Sequence, residues 1–372
     1  CDRVLIGEVW FAGGQSNMEM PLGGFWQCPV TDANEIIARA DAKSGKLHYV
    51  KIPHAAAYTP QDRTAGSWTP CTTATAAKFT AAGYFFAEML NDVLGVPVGI
   101  IDCSWGGSRV ESWMSREVLS GYSDIDLTEE GISRVAQHLR PMVMYNAMLR
   151  PVAGYTVRGF LWYQGESNVG RYMDYAARLA DMVSLWRGLW GRDDLPFYYV
   201  EIAPFEYGNG KSPYLREAQC RAQELIPNSG MICTNDLVEH YEFCNVHPKN
   251  KRDVGYRLAF MALNKTYGMK EIACQSPQYE SMEIRDGKAR IRFKYMDQGF
   301  NRMADIRGFE ICGADKVFYP ADAVVENQFA LVVSSEKVPE PVAVRYCFRD
   351  FQPGNLADTR ELPVVPFRTD DF

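Results

Sequence analysis

Apolar residues fall into short runs separated by longer stretches of helical spacing. Strand-like runs cover residues 4–11, 46–52, 98–102, 157–163, 197–203 and 231–235. Several are apolar almost throughout, the pattern of parallel strands covered on both faces. Helical spacing covers residues 33–40, 77–94, 142–149, 172–186, 215–225 and 249–263. This alternation predicts an α/β domain built on a doubly wound parallel sheet. Beyond about residue 272 the texture changes. Residues 282–284, a turn at 285–288 and residues 289–295 read as a hairpin with alternating faces. Runs at 308–312, 323–326, 329–333 and 342–348 continue the β pattern, without a strong helix. The chain is therefore divided into an α/β domain, residues 1–271, and a β-rich unit, residues 272–372.

Charge and composition narrow the function. The 372 residues carry 39 Lys+Arg against 46 Asp+Glu, a net charge of −7. No basic patch dominates, so a nucleic-acid partner is not expected. No apolar run approaches the roughly 20 residues of a membrane-spanning helix. Aromatic content is 13%, with 8 Trp and 20 Tyr, side chains that serve sugar rings as well as cores. The 10 cysteines are dispersed without a CxxC pair, which disfavours a zinc knuckle or thioredoxin-type site. They are compatible with buried thiols or with some disulfides. Cys1 is read as an ordinary residue rather than a lipid-bearing one, because a core strand is predicted almost at once.

Four polar segments interrupt the pattern. Gly13-Gly14-Gln15-Ser16-Asn17-Met18 follows the first run and puts a serine in a glycine-rich turn at a strand tip. An exposed Oγ flanked by free backbone N–H groups is what a nucleophile requires. Ser104-Trp105-Gly106-Gly107-Ser108-Arg109 and Trp162-Tyr163-Gln164-Gly165-Glu166-Ser167-Asn168 follow later runs. Asn245-Val246-His247-Pro248-Lys249-Asn250-Lys251 is predicted to open a helix, with His247 at its start. Ser16, Gly107, Gln164 and Asp236 all lie just past the carboxyl ends of predicted strands, where open α/β sheets bind ligands.

Together these segments resemble the four blocks of the SGNH hydrolases. The closer resemblance is to the sialate O-acetylesterase family, whose members carry GQSNM, a WGG block, WYQGESN and HPKNK. It extends over nearly the whole chain, taking in Phe25-Trp26, Tyr84-Phe85-Phe86, Leu149-Arg150-Pro151 and Pro366-Phe367-Arg368. The resemblance implies a flavodoxin-like three-layer sandwich with a parallel sheet, plus a small C-terminal all-β unit. It also implies an esterase acting on acetylated glycans, with no cofactor and no metal, in a secreted, periplasmic or lysosomal setting.

Ester cleavage by serine needs a base, and histidine suits this role near neutral pH. Of the five histidines, His48, His54 and His138 read as packing or surface residues. His247 carries the family context and is the expected base; His240 is its rival. SGNH enzymes usually place Asp three residues before the histidine, where this chain has Cys244. Asn245 stands two before, where many relatives of the narrower family carry Asp. Neither is a carboxylate able to stabilise an imidazolium. Glu166 and Asp236 compete for that role, with Glu166 favoured by the resemblance. The oxyanion donors expected are the backbone amides of Ser16 and Gly107 with the side-chain amide of Gln164, or of Asn168. Arg109 and Gln15 are expected at the substrate. The competing readings are a glycan-binding protein with little or no turnover, motivated by Cys244, and an esterase for other small acyl esters.

Overall fold

The structure, a computed structural model, describes residues 4–372. Cys1 lies outside the described residues. A seven-stranded sheet forms the centre: β1 (Glu8–Gly14), β2 (Leu47–Lys51), β3 (Thr69–Pro70), β4 (Val98–Ser104), β5 (Gly159–Tyr163), β6 (Phe197–Val200) and β7 (Ser229–Ile232). Their order is β3-β2-β4-β1-β5-β6-β7. Every neighbouring pair is parallel except β2 with the two-residue β3. β3 ends on Pro70, which lacks an N–H and suits an edge.

β4, β5, β6 and β7 are buried along their whole length, which is why they read as continuous apolar runs. Successive residues of β1 feed opposite faces. Trp10 and Ala12 enter one core with Phe85, Phe86, Leu258 and Met261, under helices Ala81–Leu94 and Arg252–Lys265. Phe11 enters the other with Leu179, Met182 and Leu215, under helices Tyr175–Trp190 and Ser212–Leu225. The result is a three-layer α/β/α sandwich with β1 at its middle.

Boundaries shift where pairing partners decide them. β1 begins at Glu8, not at residue 4, because its neighbour β4 starts opposite it at Val98. The apolar Val4, Leu5 and Ile6 are left 76, 52 and 89% exposed. The predicted helix at 142–149 is present as a π-helix, Tyr145–Leu149. The helix expected from residue 249 begins at Arg252. Upstream, Glu242 accepts the Lys249 amide and Asn250 accepts the Asp253 amide, and residues 247–250 bend outside the helix.

Two four-stranded sheets follow. One runs β11 (Tyr319–Pro320), β10 (Phe309–Cys312), β14 (Ala343–Tyr346), β15 (Phe367–Arg368); the other runs β12 (Asp322–Glu326), β13 (Ala330–Ser334), β9 (Lys288–Lys294), β8 (Gln278–Arg285). All their pairings are antiparallel. Asp286 and Gly287, with φ of 50° and 68°, turn the β8–β9 hairpin. The two sheets share a core that includes Ile291, Val333, Ile311, Val344 and Phe367. Among the described residues no helix is long and apolar enough to cross a membrane. The nine described cysteines are free thiols.

Candidate active site

The site begins where β1 ends. Gly14 has φ 145°, and a Cβ there would lie 2.2 Å from the Tyr163 carbonyl oxygen. Only glycine lets the ends of β1 and β5 close to this degree. The Gln15 amide then donates to that carbonyl at 3.0 Å, and the chain enters the one-turn helix Ser16–Glu19. No side chain caps this helix, so its first amides remain free for an anion. Ser16 stands half-buried at its first position.

Asn17 joins three segments. Its Nδ2 donates to Glu166 Oε1 at 2.5 Å and to the Val246 carbonyl at 2.9 Å. Its Oδ1 accepts Lys251 Nζ at 2.7 Å. Lys251 is fully buried, also donates to the Pro248 carbonyl at 2.9 Å, and lies 5.6 Å over the Tyr163 ring. Burial pushes its ammonium down to about 7, against the pull of Glu166. Glu166 is only partly buried as a residue, but its Oε2 is enclosed and without a partner. Desolvation holds its carboxyl above the usual range.

His247 follows the Val246 carbonyl that Asn17 holds. Its Nε2 is buried without a hydrogen-bond partner. Its Nδ1 lies 3.8 Å from Cys28 Sγ, whose thiol donates to Asn245 Oδ1 at 3.3 Å. Asn245 also clamps the backbone: Oδ1 accepts the His247 amide at 3.0 Å and Nδ2 donates to the His247 carbonyl at 2.9 Å. Phe25 and the imidazole pack edge to face at 5.3 Å between centroids. Burial, then the like charge of Lys251, lower His247 to about 4, which favours the neutral imidazole near neutral pH.

The turn after β4 forms the opposite wall. The Trp105 amide donates to the Gly14 carbonyl at 3.0 Å, and Ser167 Oγ donates to the Gly107 carbonyl at 2.8 Å. Gly107 has φ 76°, and a Cβ there would meet His138 Cδ2 at 2.8 Å. Glu19, on the same helical turn as Ser16, accepts the Gly106 amide on Oε2 at 2.7 Å. Its Oε1 accepts His54 Nε2 at 2.8 Å, and the His54 ring lies flat on Trp105 at 4.5 Å. Despite the opposing effect of burial, His54 and Lys51 hold the Glu19 carboxyl below its usual value.

Four residues assigned from sequence are engaged elsewhere in the structure. Gln164 is fully buried; Nε2 donates to the Ser108 carbonyl at 3.0 Å and to Asn168 Oδ1 at 2.8 Å, while Oε1 accepts the Tyr175 hydroxyl at 3.0 Å. Asn168 donates to Glu111 Oε2 at 2.9 Å and accepts the Val110 amide at 3.1 Å. Both amides join the loops: Gln164 has both N–H groups engaged, and Asn168 has one committed to Glu111. Asp236 is held bidentate by Arg257 at 2.7 and 2.6 Å, which commits both its oxygens away from a histidine. Gln15 is buried and accepts the amides of Gly165 and Ser167 at 3.2 and 3.3 Å, bracing the third block against the first. Arg109 is half-buried with an unpartnered Nε.

Sequence reasoning missed Asn17, Glu19, Cys28 and Lys251, all of which lie inside the blocks or beside them. It set aside His54 and His138, which the fold brings to Trp105 and Gly107. A lone histidine far along the chain carries no local signal of such a position.

The strand order, with four loops gathered on one edge beside β1, defines a hydrolase of the SGNH class. The family model described as carbohydrate esterase, sialic acid-specific acetylesterase matches residues 6–264, and the chain belongs to that family. It is 26% identical to the sialate O-acetylesterase of Mus musculus, over 93% of this chain and 73% of the relative. It is 27% identical to the Homo sapiens enzyme, over 84% of this chain and 64% of the relative. A crystal structure of a carbohydrate acetylesterase from Xanthomonas citri superposes with a TM-score of 0.87 at 35% identity, covering 98% of this chain and 81% of that one.

Proposed function

We propose that this protein is a serine esterase that removes O-acetyl groups from glycans through an acyl-enzyme. Ser16 Oγ attacks the acetyl carbonyl while His247 Nε2 takes its proton. The amides of Ser16 and Gly107 receive the negative charge that develops on the carbonyl oxygen. His247 then returns the proton to the departing sugar oxygen. Water, deprotonated by the same nitrogen, releases acetate. Arg109 faces the substrate with donors to spare.

The observation that carries this reading is the orphaned, buried Nε2 of His247, held by Asn17 in the loop tied to the Ser16 helix. A neutral imidazole nitrogen left bare at such a place is a base awaiting its proton donor. Glu166 supplies the negative charge that offsets the imidazolium, acting through the network it shares with Asn17 and Lys251. The substrate class follows from the family and from the relatives' names.

Acetate release from 9-O-acetyl sialic acid and from acetylated xylan tests the proposal. In Ser16→Ala the rate should fall at least about a thousandfold. In Glu166→Gln, which keeps an acceptor for Asn17 but removes the charge, a fall of roughly ten- to a hundredfold is expected. Retained activity in Ser16→Ala would sink the reading.

A further inference from the structure

Trp26 stands apart from every other tryptophan. It is 88% exposed; Trp68 follows at 37%, and Trp10, Trp113, Trp162 and Trp186 are fully buried. An indole left in water forgoes a large apolar burial, and nothing in the packing accounts for it.

Its setting is rigid. The Phe25 amide donates to the Cys28 carbonyl at 2.9 Å, and the Cys28 amide donates back to the Phe25 carbonyl at 3.0 Å. Trp26 and Gln27 form the two-residue tip of this tight turn, with Gln27 at φ 60°. A non-glycine residue in the left-handed region marks a turn held by its surroundings. Downstream, the Thr31 amide donates to the Lys249 carbonyl at 3.0 Å, which ties the segment to the histidine loop.

The position is specific. The residues on either flank of the tip both touch the proposed base: Phe25 packs edge to face with the His247 ring, and Cys28 Sγ lies 3.8 Å from Nδ1. The turn that carries the exposed indole is thus anchored on His247, the imidazole that returns a proton to the leaving sugar.

We propose that Trp26 is a specificity-determining residue: its indole stacks on a pyranose ring of the substrate and seats it beside His247. The apolar C–H face of a sugar ring matches a flat aromatic surface, and a two-torsion side chain on a rigid turn loses little entropy on binding. The proposal rests on the esterase reading and adds the contact that separates a glycan acetate from a simple acetate ester.

The test compares wild type, Trp26→Ala, Trp26→Phe and Ser16→Ala on two substrates. One is the acetylated glycan from the panel above that wild type turns over best; the other is 4-nitrophenyl acetate, which has no sugar ring. In Trp26→Ala the KM for the glycan should rise about tenfold, with kcat/KM for the aryl acetate changed less than about twofold. Trp26→Phe should recover part of the loss. Equal losses on both substrates would show that the turn merely supports His247, and unchanged glycan kinetics would show that the indole does not bind; either overturns the proposal. Activity surviving in Ser16→Ala would instead overturn the esterase reading.

Discussion

At the scale of single residues, the site sets its chemistry by burying charge. Lys251 lies at the hub of the Asn17 network, and its cation opposes protonation of His247, after burial has already done so. The sign follows: the imidazole must be neutral to act as base, so kcat/KM falls as pH drops through its pKa. With His247 near about 4, the acid limb belongs near that pH and not near the ordinary histidine value of about 6.5. Lys251→Met removes the like charge, favours the imidazolium and shifts the limb to higher pH. A pH–rate profile on a soluble aryl acetate reads both, and a limb that does not move in the variant would refute the coupling. Ser16 and His247 stand out in the sequence because each sits in a block with a turn signal. The neighbour of His247 Nδ1 was obscure in the sequence for a physical reason. His247 Nδ1 meets a thiol from residue 28, a contact made across 219 positions, and no local pattern announces such a pairing.

At the scale of elements, one turn of helix organises both walls of the site. Ser16 and Glu19 lie three apart on it and so face the same side. Glu19 holds the Gly106 amide, next to the Gly107 amide that is proposed to receive the oxyanion. The expectation is that Glu19→Ala lowers kcat about ten- to a hundredfold with little change in KM, because the contact bears on the transition state rather than on binding. Glu19→Gln keeps an acceptor for Gly106 and should restore most of the rate. Steady-state kinetics on both variants decides it; a rise in KM at constant kcat would place Glu19 in ground-state binding. The element pattern itself was largely readable. Strands β4 to β7 are buried on both faces and announce themselves as apolar runs. The misplaced ends have one cause: Val4, Leu5 and Ile6 are apolar but have no neighbour to pair with, and residues 247–250 are claimed by side chains before the helix can start. Propensity proposes an end, and pairing fixes it.

At the scale of the whole molecule, the β-rich unit is built into the hydrolase rather than tethered to it. Val365 lies within the core beneath helices Tyr175–Trp190 and Ser212–Leu225. Arg368 pairs with Glu217 at 2.9 and 3.1 Å, and the buried Arg216 donates to the Cys347 carbonyl at 3.2 Å. Asp350 is the firmest link. Its carboxylate accepts the amides of Asn209, Gly210 and Ser212 at 3.1, 2.8 and 3.2 Å, and the Ser212 hydroxyl at 2.8 Å. It thereby closes the loop that starts helix Ser212–Leu225, serving from a distant part of the chain the role a local cap usually fills. Burial alone would raise its pKa, but these bonds hold it below the usual carboxylate value. Its contribution is therefore present above the unfolded pKa of about 3.9 and is lost as pH falls through the lower folded value. Asp350→Ala leaves several buried donors unpaired and should cost roughly 2–4 kcal/mol at neutral pH. Because the two units share a core residue and these bonds, calorimetry should show one cooperative transition for wild type and one, at lower temperature, for the variant. Two separated transitions in wild type would mean that the units melt independently and that Asp350 only staples them together.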